Sequence, residues 1–298
     1  MTTFRIQASA SDGDGDWGPR RQEMADSSVV LGAVRDDIRQ TLRMGWIDPS
    51  LDAVAAQPVF FTAAWSAIRP NVGKSFLVLA RSLRAEASET MGSGAELPDL
   101  RKRLASSLSE EELTRIEACV RAAHLTTVKV QIVVHAFYRA IRRDRVRSTG
   151  REEAPVRRGV PDWQRWMSFQ PASPSAQAIL DRAGPAFGLP GSPASLRLLA
   201  RWPAAIENAW VELDRVRRTD TWEAGAARLR RAVLGGIQTL PHPIELQWPV
   251  LKARGFMEAD RAEITKLLAA HDGAMPGQSL AAAFLWQAFG APEIGSEA

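Results

Sequence analysis

The sequence predicts an all-α protein built of two tandem, pseudo-symmetric helical repeats that pack into one globular unit. Three observations support this prediction. Helix-start signals and apolar residues one turn apart recur along the chain, no segment alternates strands with helices in a βαβ rhythm, and one half of the chain resembles the other. With 298 residues, of which 45% are hydrophobic and 24% charged, the chain is long enough for one large or two modest globular domains.

Composition divides the chain into five segments. Residues 1–28 are rich in Gly, Asp and Ser, which predicts a disordered tail, and residues 291–298 are predicted to form a second, short tail. Residues 144–175 combine prolines and glycines with many arginines, a composition typical of a linker. The first predicted repeat therefore spans 29–143 and the second spans 176–290.

The two halves share an ordered series of matching residues. The matched pairs are Leu51 with Leu196, Pro58 with Pro203, Trp65 with Trp210, Leu83 with Leu229, Ile116 with Ile264, and Tyr138 with Trp286. The offset between partners grows from 145 to 148 residues along the series, as short loop insertions would produce. Such an ordered series predicts a tandem duplication.

Three helix starts are predicted from local signals. Asp48 can cap a helix in which Pro49 occupies the first position, and Ser192-Pro193 predicts an equivalent start in the second half. Ser109–Glu112 has the pattern of a capping box and precedes an apolar stripe. These signals place helices at corresponding positions in both halves.

The segment Val128–Val134 is the ambiguous part of the chain. Its β-branched residues favour a strand, but its partner in the second half, Ala281–Phe284, is rich in alanine. The comparison between the halves therefore favours a helix.

The net charge of +4 is concentrated in one segment. Residues 139–158 hold eight arginines against three acidic residues, a surplus of five, so the rest of the chain sums to −1. A groove that binds nucleic acid would carry its basic residues along its length. The pattern instead indicates a solvated linker, and no nucleic-acid partner is expected.

Several classes of function lack their sequence signals. The single cysteine, Cys119, excludes an internal disulfide and a cysteine-rich zinc module, and it fits a reducing, cytoplasmic setting. No apolar run approaches the roughly 18–20 residues of a membrane helix, and the N-terminus lacks the apolar core of a signal peptide, so no membrane partner is expected. His124 and His135 would lie about 16 Å apart on one helix, too far to share a metal. Dinucleotide, Walker, nucleophile-elbow and zincin motifs are also absent, so neither a metal nor another cofactor is expected.

Local sequence patterns resemble one enzyme family. Residues 37–46 read Asp-Ile-x-x-Thr-Leu-Arg-x-x-Trp and are followed by Ala64-Trp65, and residues 198–203 read Leu-Leu-Ala-Arg-Trp-Pro. From about residue 30 to about residue 285, the chain resembles the DehI family of 2-haloacid dehalogenases. The resemblance implies a DehI-like fold, a small carboxylic-acid substrate and a homodimer. It also implies hydrolysis of a carbon–halogen bond by an activated water, without a covalent intermediate, at a site between the repeats.

The resemblance also implies a set of substrate-binding residues. Trp46 matches the family's pocket tryptophan, whose indole N–H could face the departing halide; the alternative is a core tryptophan. The apolar pocket residues that follow it in the family fall on Asp48 and Pro49, and Ala194 precedes the family's catalytic position. A family asparagine falls on Thr127, which can still form hydrogen bonds but offers fewer donors.

The water-activating aspartate of the family falls on Ser195. A serine does not act as a general base near neutral pH without help. The acidic alternatives are Asp48 and Asp52, each of which could instead be a helix cap or a surface carboxylate, and the neighbouring pair His271-Asp272. Two functions therefore stay open: a DehI-like hydrolase with a relocated base, and a non-dehalogenating relative that binds a small acid or a protein partner in the same cleft.

Overall fold

In the computed structural model, the described residues are 18–94, 97–144, 146, 148–154, 156, 158–170 and 173–290. The α-helices are α1 (Gly18–Leu42), α2 (Pro49–Val54), α3 (Pro58–Ile68), α4 (Lys74–Gly94), α5 (Leu100–Leu104), α6 (Glu110–Ile141), α7 (Pro174–Ala186), α8 (Ala194–Leu199), α9 (Pro203–Val216), α10 (Asp220–Gly236), α11 (Trp248–Ala253) and α12 (Glu258–Ala288). Short 3-10 helices lie at Arg69–Asn71, Asp162–Gln164 and Ile237–Thr239. No strand occurs within these ranges, which confirms the predicted all-α class.

Two long helices form the centre of the molecule. α6 and α12 pack against each other, and α4 and α10 pack on them and on one another. Residues 122–137 of α6 are all buried, as expected for a helix that is surrounded by others on every side. None of the helices described is both long and apolar enough to cross a membrane.

The ambiguous segment Val128–Val134 lies in the middle of α6, so the prediction of a helix there is confirmed. Its β-branched side chains are buried in the core. Tertiary packing of these side chains outweighs their weak preference for strands.

The helix-start signals were right at two places and wrong at one. The Asp48 side chain caps α2 by accepting a hydrogen bond from the Ser50 backbone N–H at 2.8 Å. Ser109 forms the predicted capping box of α6. Ser192 does not cap α8, which begins at Ala194 without a side-chain cap, because the Ser192 hydroxyl accepts a hydrogen bond from Arg197 Nε instead.

The two halves present helices in the same order of length. A six-residue helix (α2 or α8) is followed by a medium helix, a longer one, a short one and then a helix of 32 or 31 residues (α6 or α12). This order agrees with the proposed duplication, which stays a prediction. α1 begins at Gly18, well before the tail boundary predicted at residue 28. Residues 1–17 and 291–298, also predicted as tails, lie outside the described residues.

A close backbone approach joins the predicted linker to the segment before α2. The Gly45 amide donates a hydrogen bond to Gln164 Oε1 at 3.1 Å, and Gln164 is buried. A Cβ at Gly45 would lie 2.3 Å from the backbone oxygen of Gln164. Only glycine therefore fits beside Gln164 without a shift of one of the two backbones.

We expect Gly45→Ala to lower the free energy of unfolding by about 1–3 kcal/mol, because the added methyl forces two backbone segments apart. Gly32→Ala is the matched control, since a Cβ at Gly32 in α1 would meet nothing within 4 Å. The control should be neutral or stabilised by about 0.5–1 kcal/mol. Urea unfolding of both variants measures the difference, and equal midpoints would contradict the close approach.

Candidate active site

The predicted site residues lie on or next to helices that pack against one another. α2 and α8 each pack on both central helices, α6 and α12. Asp48 caps α2, Thr127 lies in the middle of α6, and Ser195 is in the first turn of α8. Side chains from both halves of the chain therefore reach the same part of the interior.

Five of the six predicted residues are buried. Trp46, Asp48, Thr127, Ala194 and Ser195 are each at most 5% exposed. The sixth, Pro49, is partly exposed and lines a surface cavity. A substrate would therefore meet Pro49 at the cavity wall, whereas the others lie deeper.

Asp48 is a buried carboxyl group with a perturbed acidity. Burial raises its pKa from the ordinary 3.8 to about 6, although hydrogen bonding from Ser50 and the positive charge of Arg197 lower it in part. At neutral pH the group is still mostly ionised, and it is a stronger base than an exposed aspartate. Its helix-capping role occupies Oδ1. The carboxyl is therefore both a structural cap and a candidate base.

Two buried polar atoms near α2 and α8 lack hydrogen-bond partners. Neither Trp46 Nε1 nor Ser195 Oγ has a partner among the described protein atoms. Buried polar groups in native proteins are nearly always satisfied, so such atoms indicate places where a water or ligand is bound. An indole N–H can donate to an anion such as a departing halide.

A cavity of about 310 Å³ lies between α2, the loop 189–192, α8 and α12. Its wall includes Pro49 and Ser50 from α2, Arg197 from α8, and His271 and Gln278 from α12. Its polar lining and its volume suit a small polar ligand. It lies where the two halves of the chain meet.

The other two candidate acids are occupied by ion pairs or hydrogen bonds. Asp52 is half-exposed and pairs with Arg35 at 2.6 Å. Asp272 does not pair with its neighbour His271; its Oδ1 accepts a hydrogen bond from His135 Nδ1 at 2.8 Å. Asp52 therefore has a structural contact with α1, and Asp272 has one with α6.

Neither Cys119 nor His124 has the environment of a reactive group. Burial raises the pKa of the Cys119 thiol to about 12 and lowers the pKa of His124 to about 3. The His124 ring stacks on Trp286 with centroids 4.6 Å apart. Across the described residues, no group of three or more His, Cys, Asp or Glu side chains could hold a metal ion.

The sequence was compared with proteins of known activity. The chain is 26% identical over 283 residues to a configuration-inverting 2-haloacid dehalogenase from Pseudomonas sp. (strain 113), and the match covers 91% of each chain. The chain is therefore similar to a 2-haloacid dehalogenase along nearly its whole length. No family model matches it.

Solved structures show that the chain shares its fold with D-2-haloacid dehalogenases. A D-2-haloacid dehalogenase mutant matches with a TM-score of 0.79 over 87% of this chain and 91% of its own. Its complex with D-2-CPA matches at 0.76 over 86% and 91%, and a D-2-haloacid dehalogenase with L-LA at 0.75 over 90% and 92%. Each is 19% identical to this chain, so this likeness establishes the fold alone.

Sequence reasoning did not identify Arg197 as a residue of this region. Arg197 Nε donates to Ser192 Oγ at 3.2 Å, and the guanidinium lies 5.7 Å from the centre of the Phe169 ring. The available signal was an arginine on the same short helix as Ser195. Nothing local distinguished it from the many other arginines of the chain.

Proposed function

We propose that the chain is a hydrolase that replaces the halogen of small 2-halo carboxylic acids with a hydroxyl group. The observation that carries this proposal is the similarity to a configuration-inverting 2-haloacid dehalogenase over nearly the whole length of both chains. The proposed site lies between the two halves, and the packing of α2 and α8 on α6 and α12 supports this position.

In the proposed reaction, Asp48 takes a proton from a water molecule while the oxygen of that water attacks the α-carbon. The carbon–halogen bond breaks, the halide leaves with the bonding electrons, and a 2-hydroxy acid of inverted configuration forms. Trp46 Nε1 donates a hydrogen bond to the halide as its charge develops. The hydroxyl groups of Ser195 and Thr127 position the water by hydrogen bonding, since neither is a base at neutral pH.

The choice of Asp48 is supported by its position and its acidity. It is adjacent to Pro49 at the cavity wall and two residues from Trp46. Its pKa of about 6 keeps it ionised at neutral pH while making it a better proton acceptor than an ordinary aspartate. Asp52 and Asp272 are held by Arg35 and His135, respectively.

Ser195 favours a second candidate function. The resemblance places the family's water-activating aspartate at this position, and a serine there removes that base. The alternative is therefore a relative without dehalogenase activity that binds a small acid or a protein partner in the same cleft. In that case Asp48 serves only as the cap of α2.

Halide release from both enantiomers of 2-chloropropionate and 2-bromopropionate separates these two functions. Chloride or bromide release by the purified wild-type protein supports the hydrolase. Absence of release from all four substrates, with the protein shown to be folded, would favour the acid-binding alternative.

Ser195→Asp is expected to create or raise halide release, because it restores a carboxylate at the position where the family has its base. Ser195→Asn is the matched control, since it has nearly the same shape but cannot accept the proton. A gain confined to the aspartate variant supports the carried-over site. Equal rates in the two variants would count against it.

Three further proposals rest on the resemblance and the sequence. We propose a homodimer, a cytoplasmic location and an origin by tandem duplication with repeats at 29–143 and 176–290. The family likeness supports the dimer, the single cysteine supports the reducing compartment, and the matched residues support the duplication. Light scattering on the purified protein tests the dimer directly.

A further inference from the structure

Arg197 is a restrained cation that interacts with Asp48 at a distance but forms no close ion pair. Its Nε donates to Ser192 Oγ, and its guanidinium lies over the Phe169 ring, so both contacts restrict its position. Among the described residues, no carboxylate lies within ion-pair distance of it. Many other arginines do have such partners, for example Arg217 and Arg218, which both pair with Asp214.

The cavity wall beside Arg197 contains a second unused polar group. His271 is 4% exposed, and neither of its ring nitrogens has a hydrogen-bond partner among the described protein atoms. Burial lowers the pKa of His271, so the ring is neutral at physiological pH and offers one N–H donor. A buried side chain of this kind on a cavity wall can donate a hydrogen bond to a polar ligand in the cavity.

Two acidic residues lie in the walls around Arg197, and both have other contacts. Asp52 lines the same cavity and pairs with Arg35. Asp181 lines a neighbouring cavity of about 350 Å³ and accepts a hydrogen bond from Gln177 Nε2 at 2.7 Å. The positive charge of Arg197 is therefore not matched by a direct internal ion pair.

We propose that Arg197 and His271 bind the carboxylate of a small organic acid in the cavity between α2, α8 and α12. A planar guanidinium can bind a carboxylate through two parallel hydrogen bonds, and the His271 N–H can add a third. The choice of a carboxylic acid as ligand rests on the proposed function. The unpartnered donors and the cavity are independent of it.

This anchor also places the acid near the candidate base. The charge of Arg197 acts on the Asp48 carboxyl, so the two groups are within electrostatic reach of each other. Pro49, which directly follows Asp48, lies in the wall of the same cavity as Arg197. The cavity is at the lower end of the range of about 300–1,000 Å³ typical of ligand pockets, which favours a small acid.

A ligand-observed NMR titration measures the binding of propionate to the protein. It tests the anchor without turnover, because propionate has no halogen to lose. Arg197→Gln is expected to weaken propionate binding by about 10-fold to 100-fold, since a charge-assisted pair is lost. Arg197→Lys should recover part of the affinity through its charge alone. Propionamide, which is neutral, should bind the wild type much more weakly than propionate.

Arg201→Gln is the matched control, because Arg201 lies two residues beyond the end of α8, is exposed and contacts the Trp202 ring. Equal propionate affinities in the Arg197→Gln and Arg201→Gln variants would overturn the anchor, as would a wild type that does not bind propionate. Arg197-dependent binding without any halide release would contradict the hydrolase and leave the anchor standing. Halide release with a KM that Arg197→Gln does not change would support the hydrolase and overturn the Arg197 anchor.

Discussion

Asp48→Asn is expected to lower the rate of halide release by about 100-fold to 10,000-fold, the usual contribution of a general base. Asparagine retains the shape and capping ability of aspartate, so α2 should remain capped. It cannot accept the proton of the attacking water. Steady-state halide release measured for the wild type and the variant gives the ratio.

The acidity of Asp48 predicts the pH dependence of the wild-type reaction. The carboxyl must be ionised to act as a base, and its pKa in the folded protein is about 6. The value of kcat/KM should therefore rise as the pH increases through about 6 and then level off. A profile without a rise in that range would remove Asp48 from the role of base.

The same substitution separates a functional carboxylate from a purely structural one. The folded protein holds the Asp48 proton up to about pH 6, whereas the unfolded chain releases it near the ordinary 3.8. Stability contributed by the neutral form is therefore lost as the pH rises from about 4 to about 6, and ionisation costs about 3 kcal/mol above that range. Asp48→Asn should be more stable than the wild type at pH 7 and similar to it below pH 4.

Asp52→Asn is the control for Asp48→Asn, because it makes the same chemical change one turn along α2. Asp52 is half-exposed and paired with Arg35, so its loss should change halide release little. If Asp48→Asn is as active as Asp52→Asn, Asp48 is a helix cap and the base lies elsewhere. A variant that is less active but more stable at pH 7 supports a carboxylate retained for function.

Trp65→Ala and Trp210→Ala are each expected to lower the free energy of unfolding by about 3–5 kcal/mol, because each removes a large buried aromatic side chain. Trp65 and Trp210 are 3% and 8% exposed. Trp65 Nε1 also donates a hydrogen bond to Asp37 Oδ2 at 2.7 Å, so its loss leaves that acceptor with fewer partners.

The control for these substitutions is Trp166→Ala, since Trp166 is 40% exposed. Chemical unfolding of the three variants should show large shifts for Trp65 and Trp210 and a smaller one for Trp166. Unchanged midpoints for both buried positions would contradict their assignment as anchors of the two halves. A large shift of the unfolding midpoint in only one of the two variants would contradict the equivalence of Trp65 and Trp210 in the two halves.

Local signals were sufficient for much of the secondary structure. The Asp48 and Ser109 caps depend on contacts between residues two or three positions apart, so a short stretch of sequence contains the whole interaction. Ser192 shows the limit of this reasoning. Its hydroxyl has the right residue type for a cap, but it accepts a hydrogen bond from Arg197 instead, and α8 begins without a side-chain cap.

The candidate site was only partly predictable, because its chemistry depends on residues far apart in the sequence. The resemblance pointed to Trp46, Asp48 and Ser195, which lie on elements that pack on the same two central helices. The resemblance did not identify Arg197. The proposed carboxylate-binding role of Arg197 rests on the lack of a close ion pair among the described residues and on the cavity that it lines. Sequence reasoning also named His271 and Asp272 as a candidate pair, whereas in the fold Asp272 contacts His135 on another helix.

The sequence by itself determined the helical class, the places where α2 and α6 begin, and the likeness to a dehalogenase, because periodicity, capping and sequence patterns are encoded in neighbouring residues. The tertiary structure decided the acidity of Asp48 and the environment of Arg197 and His271. Burial and charge act through space, and a carboxyl is desolvated only when helices from both halves enclose it.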